Sequence, residues 1–239
     1  MSKLPIHAAT ANLPPRHSPW HTRAPNPVVF HVMGDSHYVS PGDPDAYDDG
    51  PELTRQVVMD YALAQCDGGA FFTRVACVVT GDRPDMIDRR VAWGSFAFSN
   101  FVQSPVVGPR IAPTAEQFAD ARARFFGQLA ITRPEVLIVL GARAWNELPD
   151  DVGAKAPAFA YSVFPDWSSV DDAWLYPHWV GDELICTLAV KIVHPSAGFG
   201  RWNLETATQR AQSARHCHSN VLEYFYDNYV GVSDRPFWL

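Results

Sequence analysis

Three side chains of this sequence have the types and the placement to do chemistry together: the carboxylate of Asp35, the amide of Asn100 and the imidazole of His194. Asp35 lies in Gly34-Asp35-Ser36-His37-Tyr38, directly after the apolar run Val28 to Met33. Asn100 follows Ser99 within Ser95 to Val102, and His194 opens His194-Pro195-Ser196 after the run Leu184 to Val193. A carboxylate stabilises a developing cation or takes up a proton. An imidazole donates or accepts near neutral pH. An amide offers a donor and an acceptor on one planar edge. Taken singly, each has an ordinary structural reading: Asp and Asn close turns and cap helices, and a lone histidine is more often a packing residue than a catalyst.

The elements around them supply the reason to read them together. Val28 to Met33 and Val136 to Leu140 are short apolar runs that read as buried parallel strands. Ser95 to Val102 alternates large apolar with small or polar residues, as a strand does. Leu184 to Val193 reads as the last strand. Between them, Pro51 to Cys66, Ala142 to Leu148 and Asn203 to Asn220 carry helical stripes. Phe71 to Val79 has the β-branched content of a strand, but Phe71, Phe72, Val75, Val78 and Val79 also fit one helical stripe, and helix is preferred. A longer helix opens at Pro113-Thr114 with Glu116 and Gln117, runs to about Ala130 and stops at Arg133-Pro134-Glu135. Residues 1–27 read as an irregular arm, and 28–239 as one α/β domain. Ser36 to Gly50 and Pro149 to Val180 read as loop-rich. Strands alternating with helices imply a parallel sheet covered on both faces, with strands near Val28, Phe96, Val136 and Leu188. Ligands of such sheets bind at the carboxyl ends of the strands. That rule selects the segments after Met33, after Phe98 and after Val193, which carry the acid, the amide and the imidazole.

In order and context these segments resemble the uracil-DNA glycosylase superfamily. There, a Gly-x-x-Pro-Tyr or Gly-Glu-Ala-Pro-Gly loop follows the first strand, an Asn ends the second, and His-Pro-Ser follows the last. Arg133-Pro-Glu-Val-Leu-Ile-Val-Leu-Gly141, with Ala-Arg-Ala-Trp-Asn-Glu-Leu148 after it, looks like the family's third strand and helix. The resemblance spans Val28 to Ala214. It implies a three-layer α/β/α domain with a central, mainly parallel four-stranded sheet. It further implies a monofunctional, monomeric DNA glycosylase that flips a pyrimidine out of DNA and hydrolyses its N-glycosidic bond. The pyrimidine is uracil or a modified base such as the glucosylated hydroxymethylcytosine of phage DNA. By the same resemblance Asp35 stabilises the cationic sugar and His194 the departing base. Asn100, Tyr38 and Phe98 hold the base, and Ser36, Ser196 and Arg201 hold phosphates.

The departures are specific. His37 replaces the loop proline. Ser36 stands where some branches carry their catalytic Asp or Asn. Tyr38 matches a tyrosine that in one branch blocks 5-substituted bases. The family's base-stacking Phe has no counterpart in Pro51 to Thr54; Trp93, Phe98 and Tyr47 are the candidate substitutes. Gln103-Ser104-Pro105 stands where the iron–sulfur branches have a Cys, so no cluster is expected.

The net charge of −7 opposes DNA binding. The basic residues Lys191, Arg201, Arg210 and Arg215 with the lone acid Glu205 make a locally basic stretch. Four cysteines without a CxxC pair exclude a disulfide framework and a four-thiolate zinc site. Adjacent His216, Cys217 and His218 on a helix cannot converge on one ion. No cofactor or metal is expected. No signal peptide or membrane span of roughly 18 apolar residues is present, so a cytoplasmic location without a membrane partner is expected. Two other readings remain on these residues: a non-catalytic nucleobase- or nucleic-acid-binding domain, and a small-molecule enzyme such as a nucleoside hydrolase.

Overall fold

A computed structural model describes residues 7–8, 29–39, 50–64, 69–150, 154–155, 173–197 and 202–229. In chain order the strands are β1 (His7–Ala8), β2 (Phe30–Val39), β3 (Ala97–Val107), β4 (Val136–Leu140), β5 (Ala154–Lys155), β6 (Ala173–Val180) and β7 (Glu183–Ile192). The helices are α1 (Gly50–Val57), α2 (Ala70–Thr80), α3 (Arg89–Trp93), α4 (Ala115–Thr132), α5 (Ala142–Glu147) and α6 (Leu204–Tyr229), and a π-helical stretch, Val58–Leu63, follows α1 directly. The strands form one seven-stranded sheet in the order β1-β6-β7-β4-β2-β3, with β5 also on β6. β7, β4, β2 and β3 are mutually parallel; β6 runs antiparallel to β7.

Val136–Leu140 shows why the sheet is covered twice. All five residues are buried, so neither face has a polar side to give to water. Ile138 and Leu140 pack with Phe72, Val75 and Val78 of α2 and with Ala211 and Phe225 of α6. Leu137 and Val139 pack on the other face with Phe118, Phe125 and Leu129 of α4. Each large side chain fully buried this way contributes roughly 1.5–3 kcal/mol. The spacing of Phe118, Ala121, Phe125 and Leu129 gives α4 one apolar stripe. Thr114 and Gln117 cap its start reciprocally, through Gln117 N–H to Thr114 Oγ1 at 3.2 Å and Thr114 N–H to Gln117 Oε1 at 2.8 Å. Arg133 ends it in a left-handed turn (φ 49°).

Three expectations need correction. The strand expected to stop at Met33 continues to Val39, and β3 continues past Asn100 to Val107. Pairing of β2 with β4 ends at Met33↔Val139, but β2 and β3 stay paired from Gly34↔Asn100 to Val39↔Val107, with an irregularity between Ser36 and Tyr38. The glycine that looked like a strand terminus is instead a strand residue in close contact with its neighbour. The sheet also has more than four strands, because part of Pro149 to Val180 forms β6. Pro177 lies inside this strand. It falls between the two stretches of β6 that pair outward, Leu175 and Trp174 with β5, and His178 and Trp179 with β1. His7–Ala8, inside the segment read as an irregular arm, is thus a strand.

A buried polar cluster ties β2, β3 and α4 together below the long strand ends. His31 Nε2 lies 2.7 Å from Ser99 Oγ and Nδ1 lies 3.0 Å from Thr132 Oγ1. Ser99 Oγ in turn lies 3.2 Å from Gln128 Oε1. Burial pulls the His31 pKa down to about 3, so this imidazole is neutral. Its neighbours fix the register that sets Gly34 beside Asn100. Among the described residues, no helix is long and apolar enough to cross a membrane.

Candidate active site

Where β2 and β3 outrun β4, a cavity of about 650 Å³ opens. Asp35, Asn100 and His194 all line it, as do Ser36, Tyr38, Phe98 and Ser196. Seven side chains selected from sequence are therefore brought to one place; Arg201 lies outside the described residues.

Asp35 is only 9% exposed. Its Oδ2 takes both contacts from Arg143 of α5, a 2.6 Å hydrogen bond from Nε and a shorter contact from Nη2. Its Oδ1 is buried and has no partner among the described residues. A buried carboxylate oxygen left bare is costly, and Asp35 is one of the residues lining the cavity.

Asn100 is 4% exposed, and its Nδ2 is likewise buried without a partner among the described residues. Its main-chain carbonyl accepts from the Gln103 side chain. The amide fits because Gly34 has no side chain: a Cβ there would overlap Asn100 Oδ1.

His194 follows β7 at the turn closed by Ala197 N–H to His194 O at 2.8 Å. Its Nδ1 accepts the Ser196 N–H at 3.1 Å, which places the proton of the neutral ring on Nε2. Burial lowers its pKa; nearby Asp35 works against that shift and Arg143 with it. The site therefore holds a neutral imidazole with one N–H to donate. Gly141 makes room for it, since a Cβ at that position (φ 93°) would lie 3.2 Å from His194 Cβ. Arg74 of α2 donates to Pro195 O and ties the turn to the helix.

Several cavity residues escaped the sequence reading. Phe71, at the start of α2, lies on the cavity wall with its ring stacked against His194 (centroids 5.6 Å, 26°) and edge-on to Phe98 (6.5 Å, 76°). Of the substitutes considered for a stacking aromatic, Trp93 is fully buried and donates to Phe72 O at 3.0 Å, away from the cavity. Phe98 lines the cavity, and Tyr47 lies outside the described residues. The Gly68-Gly69 pair just before α2 was the available signal for Phe71. His37 also lines the cavity; its Nε2 is 2.8 Å from Thr54 Oγ1, and burial lowers its pKa to about 4. Arg143 follows β4 by the same strand-end rule that selected the other three segments. Tyr38, which lines the cavity, is 60% exposed. Arg74 lines the cavity and Arg143 touches it only through Asp35; Lys191, Arg210 and Arg215 do not line it.

Among the described residues, no three His, Cys, Asp or Glu side chains gather to hold a metal ion, and Cys77, Cys186 and Cys217 are free thiols. The fold and site define a mixed α/β protein with a cavity of mixed polar and apolar lining, beyond the ends of β4 and β7 and alongside β2 and β3. No protein-family model matches the chain, and no curated protein matches it.

Proposed function

We propose that this protein is a DNA glycosylase of the uracil-DNA glycosylase type, taking a flipped pyrimidine into the cavity and hydrolysing its N-glycosidic bond. One observation carries the reading: Asp35 of β2, Asn100 of β3 and His194 of the turn after β7 all line a single cavity, with Asp35 Oδ1 and Asn100 Nδ2 unsatisfied among the described residues. The parallel quartet β7-β4-β2-β3, helix-covered on both faces, supports a core of that type.

In this reading the base lies against Phe71, and Asn100 Nδ2 donates to an acceptor on its edge. As the C1′–N bond breaks, positive charge grows on the sugar and negative charge on the base. Asp35 favours the first and the Nε2–H of His194 the second, more than either favours the neutral substrate. Water adds to C1′ as the base leaves, and solvent protons balance the two products. The volume falls inside the roughly 300–1,000 Å³ usual for small-molecule sites. With Tyr38 turned out, it leaves room for a 5-substituent, so modified pyrimidines stand beside uracil as substrates.

The net charge of −7 favours a second reading, hydrolysis of free nucleosides. Both are tested together. The protein is incubated with DNAs, single-stranded and duplex, containing uracil, hypoxanthine, hydroxymethylcytosine or glucosylated hydroxymethylcytosine, and abasic sites are cleaved with alkali. Free nucleosides are followed in parallel by base release. Strand cleavage at one base supports the glycosylase. Release from nucleosides alone replaces it with the second reading, and DNA binding without release replaces it with a binding domain.

A further inference from the structure

We infer that Arg143 reads a phosphate next to the reacting nucleotide, holding Asp35 with one edge of its guanidinium and the phosphate with the other. The inference rests on the glycosidic reading of the cavity and narrows its substrate class to nucleotides and polynucleotides. Free nucleosides lack the group it would hold.

The argument begins with a conflict. A carboxylate meant to favour a cationic sugar is here in direct contact with a fixed cation. Left alone, the arginine cancels much of the field that Asp35 presents to the sugar. The geometry of the pair shows how the conflict is relieved. Both contacts fall on Oδ2, from Nε and Nη2, so one edge of the guanidinium is used and Oδ1 takes no part in the pair. The Nη1 side makes no hydrogen bond among the described residues, and the Arg143 side chain is 42% exposed. A planar guanidinium has five N–H donors, and phosphate oxygens match its open edge with paired, charge-assisted bonds. A second anion on that edge shares the positive charge. Asp35 then recovers its influence on the sugar only when the phosphate is in place. Arg143 so placed couples substrate recognition to the strength of the catalytic carboxylate, and it acts through Asp35 as a positioning residue.

The test pairs a change in the protein with a change in the substrate. Single-turnover excision is measured for the parent and for Arg143→Met. Each is given ordinary DNA and DNA in which one phosphate flanking the target nucleotide is a neutral methylphosphonate. At one flanking position the neutral linkage is expected to slow the parent roughly ten- to hundredfold, the scale of a lost charged hydrogen bond, and to leave the variant unchanged. Arg143→Lys keeps the charge but not the forked geometry and is expected to fall between the two. The salt slope of DNA binding should drop by about one for Arg143→Met. Losses that simply multiply at every flanking position overturn the inference and leave the glycosylase reading standing. A parent indifferent to every neutral linkage does the same, and needs no altered protein. Base release from free nucleosides at a rate matching that from DNA defeats the phosphate requirement, and release from nucleosides alone defeats both readings.

Discussion

Replacing Gly34 with alanine should disable the cavity while leaving its chemical groups in place. Gly34 and Asn100 are register partners on β2 and β3. A Cβ at Gly34 would overlap Asn100 Oδ1 and lie 3.5 Å from Asn100 Cγ and 3.6 Å from Phe98 Cζ. The amide is almost wholly buried, so it cannot swing away into open space; it must turn within the cavity or force β2 and β3 apart. Crowding of this kind costs about 1–3 kcal/mol of stability. That corresponds to a fall of about 2–10 °C in Tm for a chain of this size. Misplacing a substrate-positioning group by about 1 Å is enough to cost about a hundredfold in rate. Single-turnover excision, DNA binding and thermal melting of Gly34→Ala separate these effects. We expect excision to fall about a hundredfold while binding of undamaged DNA is retained. Asn100→Ala removes the amide without crowding and should lose a similar amount, with altered base preference. Combining the two should then cost no more than Asn100→Ala alone, because both act on one group. Parental rate and base preference in Gly34→Ala would refute the assignment of Asn100 as the base reader. Losses that multiply in the double variant would mean that Gly34 acts through something else.

Asp35→Asn and His194→Ala should each slow base excision by roughly a hundredfold or more, with DNA binding kept, as measured by single-turnover kinetics beside a binding titration; full activity in both would move the site elsewhere. Phe71→Ala should weaken capture of the flipped base by roughly ten- to hundredfold, the worth of one base–aromatic stack, seen in the concentration dependence of excision rather than in its limiting rate. Acid should destabilise the fold through His31 and His37, whose folded-state pKa values lie at about 3 and about 4 against an ordinary 6.5. Each is neutral in the folded chain and takes a proton first when unfolded. Stability is therefore full above about pH 6.5 and falls as pH drops towards 3, His31 accounting for roughly 5 kcal/mol at the bottom of that range. Denaturant melts of His31→Gln from pH 7 to pH 4 should show a shallower decline than the parent; an identical slope would mean that other groups set the acid limit.

The core was legible because its signal is redundant. Val136–Leu140 has no polar residue, so only a strand buried on both faces suits it, and the Thr114–Gln117 spacing announces the start of α4. Gly34 ends the apolar run yet continues β2, and β6 carries Pro177 within it. Local signals of that kind report what a residue permits. What it does is decided by the partner strand, and pairing between residues 34–39 and 100–107 is a long-range fact that no window along the chain contains.

For the site, side-chain type located the groups but not their electrical state. Asp35, Asn100 and His194 were found by asking which polar residues end apolar runs. The question that sequence could not pose is what surrounds them. Arg143, 108 residues from Asp35, gives the carboxylate a fixed counter-charge. The Ser196 N–H sets which nitrogen of His194 carries the proton. Both features alter the chemistry that the same residue types would do. A bare Asp35 would act on any sugar that entered. If Arg143 reads a phosphate as inferred, the pull of Asp35 on a developing cation depends on whether that anion competes for the guanidinium, and the proposed catalytic charge is a property of the substrate as well as of the protein. A histidine with Nδ1 already occupied by an N–H presents a donor and not a base to the cavity. In the proposed glycosidic reading, these features place Asp35 on the cationic side of the bond and His194 on the anionic side.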